Sequence, residues 1–490
     1  MQTIDAVDII GRIRIENPWW GNGHTISETH RGLKPREYID LFLPLVKNSE
    51  VRRAIVLMGP RRVGKTVMIH HTIQALLKDG VQPTSICYFS VDHPIYNGLS
   101  LEQLLGYYQQ ATGVDYKSTP IHVFFDEIQY LRKWEEHLKS LVDTYPNVRS
   151  VASGSAAAAL RVKSNESGAG RLTDFLLPPL NFYEYLSLLN KTNLLKMSND
   201  GRVSGAKDIN LLNEEFLSYL NFGGYPEVIF SEAIKADPAR FIKSDIIDKV
   251  LLRDLPSLYG IDDIQELNYL FTTLAFNTAN EISLGELSQN SSVAKNTIKR
   301  YIDYLEAAFL IKTIHRVDHA AKRFRRANYF KVYLTNPSMR AALFSPLQPE
   351  DAAVPSLVET AVFSQWFHSV NTLHYARWND GEVDIVMLDA DQKARWAVEV
   401  KWSDRFCEEP NKLKSLIDFC KYNHFSDTLI TTRTKTITCE VDGIVMEFLP
   451  ASVYCCLVGY NIVQGRKMVQ KGPNLQRIAK QGLAKRREKK

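Results

Sequence analysis

The chain has 490 residues, of which 45% are hydrophobic, 23% charged and 10% aromatic, so it is predicted to fold into several globular domains rather than to be disordered. No apolar run approaches the roughly 20 residues that cross a bilayer, and the acidic start lacks a secretory pattern, so we expect a cytoplasmic protein without a membrane partner. The segment 466–490 carries ten Lys or Arg and one Glu, so its net charge is +9. Because the whole chain has a net charge of +5, the remaining residues have a net charge of −4.

The basic segment and the cysteines each allow two interpretations. The tail, 459–490, could hold phosphate backbones electrostatically, or it could be a solvated terminus. Six cysteines without a CxxC pair or regular spacing predict reduced thiols in the core, against the alternatives of a disulfide framework or a zinc module.

The first 178 residues alternate between strand and helix patterns. A short apolar run predicts a strand at Ala54–Met58, and apolar residues at helical spacing follow it. The same reasoning predicts further strands at Ser85–Val91, Ile121–Phe125 and Val148–Ala152, with helices at Leu101–Gln110 and Lys133–Asp143. Such alternation is typical of a parallel sheet covered by helices.

A phosphate-binding pattern, GxxxxGK[ST], stands between the first strand and the first of these helices. Glycines allow backbone N–H groups to surround a β-phosphate, a lysine neutralises β- and γ-phosphate oxygens, and a threonine hydroxyl binds Mg²⁺. The alternative is a glycine turn with a chance lysine. We predict that the nucleotide is bound by Gly59, Pro60, Arg61, Arg62, Val63, Gly64, Lys65, Thr66 and Val67.

Two acids and two serines follow later strands of the predicted sheet. Asp126 and Glu127 come at the end of an apolar strand, where α/β sheets bind ligands. Asp126 is predicted to hold Mg²⁺ with Thr66, and Glu127 to orient and deprotonate the attacking water. Alone, such a pair also fits acids that cap a helix. Ser153 and Ser155, after the next strand, are predicted to contact the γ-phosphate or the water.

Arg171 is a weaker candidate. It could stabilise transition-state charge in its own subunit or in a neighbouring one, whereas the alternative is an unpaired surface arginine.

Beyond Pro178 the pattern is mostly helical, with two breaks. Lys191–Asp208 is polar and contains glycine and serine, so it is predicted to be a loop. Ser345–Ser356 contains three prolines and suits a linker or a domain boundary. Mixed strands and helices follow this second break.

The sequence from Glu281 predicts two short amphipathic helices joined by a polar turn, in the manner of a winged helix-turn-helix. The second helix would present polar side chains that can meet phosphates and base edges in a major groove. An equally weighted alternative is a structural three-helix unit. The predicted DNA-binding residues are Lys295, Asn296, Thr297, Lys299 and Arg300.

The last folded segment combines carboxylates with a lysine. Glu399 and Lys401 are two residues apart and share a face of a strand, and Asp384 on a neighbouring strand could complete a two-carboxylate Mg²⁺ site. Such a site could hydrolyse phosphodiesters, with Lys401 steadying a water or the phosphate charge. The alternative is a surface Glu–Lys pair beside a turn aspartate.

Taken together, these stretches resemble prokaryotic AAA-type ATPases that carry a C-terminal domain of unknown function with a PD-(D/E)xK nuclease-like core. The matching stretches are GPRRVGKT, FFDEIQ, SGS at 153–155, GRLTDFLLPPLNFYEYL, NFGGYPEVI, TIKRYIDYLEAAFLI, GEVDIV and VEVKWS. No proline precedes Asp384, and the stretches before Trp20 and after Tyr460 have no counterpart. The resemblance supports Lys65, Glu127, Asp384, Glu399 and Lys401 as catalytic residues and adds Glu359 as a further acid.

The resemblance implies a multidomain α/β protein. Its parts would be a RecA-like, AAA-type P-loop domain with an N-terminal extension at 1–178, a helical lid at 179–260, a winged helix-turn-helix at 261–345, a restriction-endonuclease-like α/β domain at 350–458 and the basic tail at 459–490.

Two functions are compatible with this reading. In the first, ATP binding and hydrolysis with Mg²⁺ drive action on double-stranded DNA, in DNA processing or in defence against foreign genetic elements. In the second, the chain is a regulatory ATPase switch whose inert C-terminal module binds a protein partner. A homo-oligomer is compatible with either. ATP is preferred over GTP on the resemblance, since no guanine-selecting motif is evident.

Overall fold

The computed structural model describes residues 5–464 except 22, 155–169, 200, 262, 325–327, 368, 370 and 380. The predictions for Ser155 and for most of the basic tail therefore lie outside the described residues. The chain divides into two compact units, Met1–Pro178 and Pro179–Lys490.

Unit 1, Met1–Pro178, is built on a parallel sheet. Its strands are β1 (Ala54–Met58), β2 (Ile86–Ser90), β3 (Ile121–Asp126), β4 (Val148–Gly154) and β5 (Leu172–Leu176). They lie in the order β2-β3-β4-β1-β5, and every neighbouring pair is parallel. The predicted parallel sheet is thus confirmed, although β5 was not predicted.

Helices cover this sheet. In its described residues, unit 1 has α-helices at Ala6–Glu16, Glu28–Arg31, Ile39–Lys47, Lys65–Lys78, Leu101–Thr112 and Trp134–Thr144, and 3₁₀ turns at Pro18–Trp20, Pro83–Ser85, Pro94–Tyr96 and Ile128–Tyr130. The helices expected after β1, β2 and β3 are therefore present, and the ends of the second and third lie within two residues of those predicted. All five side chains of β1 are buried, which requires cover on both faces of the sheet.

One core cluster of unit 1 shows how the elements meet. Val56 of β1, Phe89 of β2 and Phe125 of β3 pack with Leu104 and Leu138, which come from the two helices after β2 and β3. All five side chains are fully buried. Because parallel strands end at one edge of a sheet, this packing brings the residues after β1, β3 and β4 together.

Unit 2, Pro179–Lys490, contains a hairpin and a larger mixed sheet. Its strands are β6 (Leu195–Met197), β7 (Val203–Ala206), β8 (Glu281–Ser283), β9 (Ile311–Val317), β10 (Tyr329–Leu334), β11 (Leu373–Trp378), β12 (Gly381–Leu388), β13 (Ala394–Glu399), β14 (Asp427–Thr432), β15 (Ile437–Val441) and β16 (Ile444–Pro450).

In the described part of unit 2, nine strands form one sheet in the order β15-β16-β14-β13-β12-β11-β9-β10-β8. The pair β9 and β11 is parallel and joins strands from the predicted winged-helix segment to strands from the predicted nuclease-like segment. The proposed division of 179–458 into three domains stays a prediction, and two of those segments contribute to this one sheet.

Helices occupy most of the remainder of unit 2. The α-helices are Phe182–Leu188, Ile209–Phe222, Pro226–Ile229, Glu232–Ala236, Leu255–Tyr259, Ile264–Phe276, Leu284–Ser291, Lys295–Ala307, Ser338–Leu343, Val354–Trp366, Arg405–Glu408, Lys414–Tyr422 and Ala451–Gln464, with π-helical segments at Ala239–Asp248 and Val250–Asp254 and 3₁₀ turns at Thr192–Leu194 and Pro410–Lys412.

The loop predicted at Lys191–Asp208 needs correction, because it contains the antiparallel hairpin of β6 and β7. Short strands with few apolar residues give a weak periodic signal, and the polar Gly- and Ser-containing composition favoured a loop instead.

The prediction of free thiols in the core holds for Cys87, Cys420, Cys455 and Cys456, which are free and buried. Cys407 and Cys439 are also free but only half-buried. Cys455 and Cys456 lie in Ala451–Gln464, a helix that is buried over most of its surface. Among the described residues, no helix combines the length and apolar character needed to span a membrane.

Candidate functional site

The turn after β1 has the backbone geometry of a phosphate-binding loop. A Cβ added at Gly59 would lie 2.1 Å from the Leu177 carbonyl oxygen, so only glycine fits there. Gly64 has φ +93° and precedes the helix Lys65–Lys78, whose first N–H groups point toward the loop. The loop therefore offers the backbone donors and the helix N-terminus that bind phosphate.

The lysine of the loop is buried and engaged with the loop itself. Lys65 is 6% exposed, and its Nζ donates to the carbonyl oxygens of Gly59 at 3.0 Å and Pro60 at 2.7 Å. Val63 is fully buried, Arg62 is exposed, and Arg61 and Val67 are half-buried. Lys65 thus lies over the loop whose N–H groups would surround a phosphate.

Asp126 is the centre of the polar network beside this loop. Its Oδ2 accepts hydrogen bonds from Thr66 Oγ1 at 2.7 Å and Tyr88 OH at 2.9 Å. Its Oδ1 accepts one from Ser153 Oγ and one from the Glu127 N–H at 3.2 Å. Since the residue is 2% exposed, four donors fix a buried carboxylate next to Thr66.

Glu127 follows in an unusual backbone conformation. It has φ +54°, in the left-handed region that non-glycine residues seldom adopt. Its Oε2 accepts a hydrogen bond from Gln129 Nε2, and its side chain is half-buried. Such conformations cluster at functional sites, which supports Glu127 as a candidate site residue.

The donor set at this edge of the sheet fits a nucleotide with magnesium. Thr66 Oγ1 and the Asp126 carboxylate are hard oxygen donors in direct contact, the kind that Mg²⁺ prefers. Thr66, Asp126 and Ser153 are therefore in contact, with Lys65 and Glu127 next to them in the chain. Their roles in nucleotide binding stay a prediction.

Sequence reasoning missed three further residues of this region. Tyr88 donates to Asp126, as described, and Asn17 pairs with the Tyr88 backbone. Arg36, which is 6% exposed, donates to the carbonyl oxygens of Val63 at 3.1 Å and Pro178 at 2.7 Å. Arg36 thereby holds the phosphate-binding loop to the end of unit 1.

Arg171, proposed as a charge-stabilising residue, forms a surface ion pair. Its Nε lies 3.1 Å from Asp143 Oδ1, and both side chains are nearly half exposed.

The predicted DNA-binding residues lie on the helix Lys295–Ala307 of unit 2. Its apolar side packs into the core through Ile298, Tyr301, Ile302 and Leu305. On the other side Lys295, Asn296, Lys299 and Arg300 are exposed and Thr297 is half-buried. These polar side chains are therefore accessible to a partner.

The predicted carboxylates of unit 2 form a second, buried cluster. Glu399 Oε1 lies 2.6 Å and Asp384 Oδ2 lies 3.6 Å from Lys401 Nζ, and Asp384 Oδ2 also accepts the Val400 N–H at 2.9 Å. Glu399 Oε2 is buried without a hydrogen-bond partner. Asp384 lies on β12, Glu399 is the last residue of β13, and Lys401 lies two residues beyond that strand rather than on it. The three side chains are nevertheless neighbours.

Lys331, which the sequence did not suggest, joins this cluster from β10. Its side chain is 4% exposed, and its Nζ lies 3.1 Å from Glu359 Oε1, 2.6 Å from Glu382 Oε1 and 3.6 Å from Asp384 Oδ1. Tyr333 OH donates to Glu359 Oε1 at 2.6 Å. The further acid Glu359 is therefore held by a lysine and a tyrosine.

Burial and the two lysines set the charge state of these acids. Burial raises the pKa of Glu359 and of Glu399 to about 7. Burial also disfavours the charged form of Asp384, but Lys401 and Lys331 outweigh it and lower its pKa. Among the described residues, no three His, Cys, Asp or Glu side chains converge as a metal site.

Comparisons with known families give two matches of limited length. Residues 51–186 match the model of an AAA domain, and residues 213–350 match the model of a domain of unknown function, DUF8612. The first match contains the phosphate-binding loop, Asp126, Glu127 and Ser153.

Three curated proteins are similar to most of the chain. Two are uncharacterized proteins of Methanocaldococcus jannaschii, MJ1544 and MJ1637. MJ1544 is 25% identical over 72% of this chain and 75% of its own length. MJ1637 is 24% identical over 67% of this chain and 69% of its own length. An uncharacterized protein of Haemophilus influenzae is 24% identical over 79% of this chain and 91% of its own length.

Two solved structures are more distant. The Walker-type ATPase PABY2304 of Pyrococcus abyssi has a TM-score of 0.37 at 15% identity, covering 63% of this chain and 94% of its own. The Hsp104–ADP complex of Saccharomyces cerevisiae has a TM-score of 0.30 at 13% identity, and the match covers 57% of this chain and 40% of the Hsp104 chain. The family match and the geometry of the loop agree: residues 51–186 match the model of an AAA domain, and unit 1 has the parallel sheet and the phosphate-binding loop of a P-loop ATPase-like domain.

Proposed function

We propose that the chain binds ATP with Mg²⁺ at the phosphate-binding loop and hydrolyses it. The observation that carries this proposal is the contact between Thr66 and the buried Asp126 beside the loop of Lys65, at the carboxyl edge of a parallel sheet. The matched AAA domain supports the same function. Bound Mg²⁺ would neutralise charge on the phosphates.

Each residue of the site has a defined task in this proposal. Lys65, which donates to two loop carbonyls, would exchange these partners for phosphate oxygens. Asp126 and Thr66 would hold the ion, and Ser153 would contact the γ-phosphate or the water. Glu127 would orient and deprotonate the attacking water, because γ-phosphoryl transfer depends on positioning. Arg171 is paired with Asp143, and we give it no role.

The ATP-binding proposal is tested by replacing Lys65. We expect Lys65→Ala to lose most of its affinity for fluorescent ATP, since a buried ammonium group near the phosphates is removed. Binding is measured by fluorescence anisotropy in Mg²⁺. The control is Lys78→Ala, at the exposed end of the same helix, which should bind like the wild type. The absence of wild-type binding, or equal binding by Lys65→Ala, would refute the proposal.

A second proposed function is action on double-stranded DNA. The order helix Ile264–Phe276, β8, two helices, β9 and β10, with β10 paired antiparallel to both β8 and β9, supports a winged helix-turn-helix. The exposed residues Lys295, Asn296, Lys299 and Arg300 support contact of the helix Lys295–Ala307 with a major groove.

The cluster of Asp384, Glu399 and Lys401 supports a nuclease-like site in the same unit. Asp384 and Glu399 would hold a divalent ion, and the unpartnered Glu399 Oε2 is an available ligand. Lys401 would steady a water or the phosphate charge. The rival proposal is an inert module that binds a protein partner, and the pairing of Lys331 with three acids is compatible with it.

Plasmid cleavage separates these two proposals. Supercoiled DNA is incubated with Mg²⁺ or Mn²⁺, with and without ATP, and with wild type, Asp384→Ala or Lys401→Ala. We expect wild-type cleavage that both substitutions abolish, because each removes a group of the cluster. Asp391→Ala, in an exposed turn, is the control and should cleave normally. Equal nicking by all proteins, or none by any, favours the inert module.

A further inference from the structure

Tyr88 connects the edge strand of unit 1 to the carboxylate proposed to hold Mg²⁺. It is the third residue of β2, and its side chain is 5% exposed. Its hydroxyl donates to Asp126 Oδ2 at 2.9 Å, the oxygen that also accepts Thr66 Oγ1 at 2.7 Å. One oxygen is therefore held by hydroxyls from two elements, which restricts rotation of the carboxylate.

The surroundings of Tyr88 keep its hydroxyl a donor. An ionised aspartate has only acceptor oxygens, so the Tyr88 hydroxyl is the donor of the hydrogen bond to Asp126. The His70 ring packs against the Tyr88 ring with centroids 4.8 Å apart. The phenol is therefore held in place by a hydrogen bond and by an aromatic neighbour.

The N-terminal segment fixes the backbone of Tyr88. Asn17 Oδ1 accepts the Tyr88 N–H at 2.7 Å, and Asn17 Nδ2 donates to the Tyr88 carbonyl oxygen at 2.9 Å. Because β2 is the edge strand, this side-chain amide takes the place of a neighbouring strand. Trp19 and Trp20 both donate from Nε1 to the Ile86 carbonyl oxygen, at 3.0 and 2.8 Å.

We propose that Tyr88 is a positioning residue of the magnesium site, which holds the Asp126 carboxylate for the ion and is itself fixed by residues 5–20 through Asn17. This inference rests on the proposed ATPase function. Partners that orient a metal-binding carboxylate contribute to metal affinity without touching the metal. The N-terminal extension is thereby given a part in nucleotide binding.

The test measures how much Mg²⁺ nucleotide binding requires. A fluorescent, non-hydrolysable ATP analogue is titrated with free Mg²⁺ from an EDTA baseline, for wild type and Tyr88→Phe. We expect Tyr88→Phe to need about tenfold more Mg²⁺ for half-maximal binding, as is usual when an orienting partner is lost. Affinity in EDTA should be unchanged, because the loop and Lys65 are intact.

Tyr108→Phe is the matched control. Tyr108 is a fully buried tyrosine of unit 1 whose hydroxyl donates to the Thr84 carbonyl oxygen at 2.6 Å, and it does not contact Asp126. It should keep the wild-type Mg²⁺ requirement. An unchanged requirement in Tyr88→Phe, or an equal shift in Tyr108→Phe, would overturn the inference. A wild type whose nucleotide binding is insensitive to Mg²⁺ would instead refute the proposed magnesium site.

Asn17→Ala gives a second route to the same conclusion, since it leaves the Tyr88 hydroxyl in place. It should raise the Mg²⁺ requirement in the wild-type background and add nothing in the Tyr88→Phe background, because both changes act through one hydroxyl. Fully additive effects would show that Asn17 does not act through Tyr88 and would overturn that part of the inference.

Discussion

Replacing Glu127 by glutamine is expected to lower ATP hydrolysis by roughly 100- to 10,000-fold, the contribution of a positioned general base. Glutamine has nearly the same shape but cannot accept a proton from water. Affinity for ATP should be unchanged, because Lys65, Thr66 and Asp126 are retained. Phosphate release in a single turnover measures the chemical step, and anisotropy of a fluorescent ATP analogue measures binding.

The control for this prediction is Glu136→Gln, the same chemical change on the helix Trp134–Thr144. Glu136 is exposed and forms a surface pair with Lys133 at 3.2 Å. Its substitution should leave hydrolysis unchanged, since such pairs contribute little. Turnover of Glu127→Gln at the wild-type rate would contradict the role given to Glu127. A parallel loss of ATP affinity would indicate a role in binding instead.

Much of unit 1 could be predicted because its signals are local. The strand, glycine turn and helix around Lys65 occupy one short stretch, and Asp126 and Glu127 directly follow an apolar run. The sheet then brings these stretches together, as parallel sheets generally do. Boundaries were accurate to about two residues for the same reason.

Tyr88 and Asn17 could not be predicted, because their roles depend on contacts that are distant in sequence. Tyr88 is 38 residues from Asp126, and Asn17 is 71 residues from Tyr88. Within β2, Tyr88 is indistinguishable from an ordinary core aromatic. Asn17 lies between a helix and two tryptophans, in a stretch without a motif. A buried hydrogen-bonding partner of this kind has no periodic signal.

The same limit applies to unit 2. Asp384, Glu399 and Lys401 were found because they lie on, or directly after, two neighbouring strands. Lys331 was missed because β10 reads as an apolar strand with one lysine, and such a lysine is usually exposed. The parallel pairing of β9 with β11 also has no local signature, so the joined sheet could not be inferred.

Replacing Lys331 by methionine is expected to lower the free energy of unfolding of unit 2 by about 3–5 kcal/mol, the usual cost of removing one partner of a buried ion pair. Burial disfavours the charged form of Lys331, but Glu359, Asp384 and Glu382 outweigh it and hold its pKa well above the usual value. Methionine has a side-chain volume similar to that of lysine, so the loss of unfolding free energy measures the effect of removing the charge. Hydrogen exchange of peptides from β10 and β12 measures the opening of unit 2 separately from unit 1.

Lys435→Met is the matched control, because Lys435 Nζ lies 2.6 Å from Glu408, the distance that separates Lys331 from Glu382. The Lys435 pair is exposed, so its loss should change the stability of unit 2 much less than the loss of Lys331. Adding Glu382→Gln to Lys331→Met should restore part of the stability, because it removes one of the carboxylates that have lost their lysine partner. Equal, small losses for both lysines would contradict the prediction and show that the acids of the cluster do not depend on a buried cation. A large loss of unfolding free energy in Lys331→Met alone would support the prediction. It would mean that the ion pairs of Lys331 on β10 with Glu382 and Asp384 on β12 stabilise the cluster proposed for DNA cleavage.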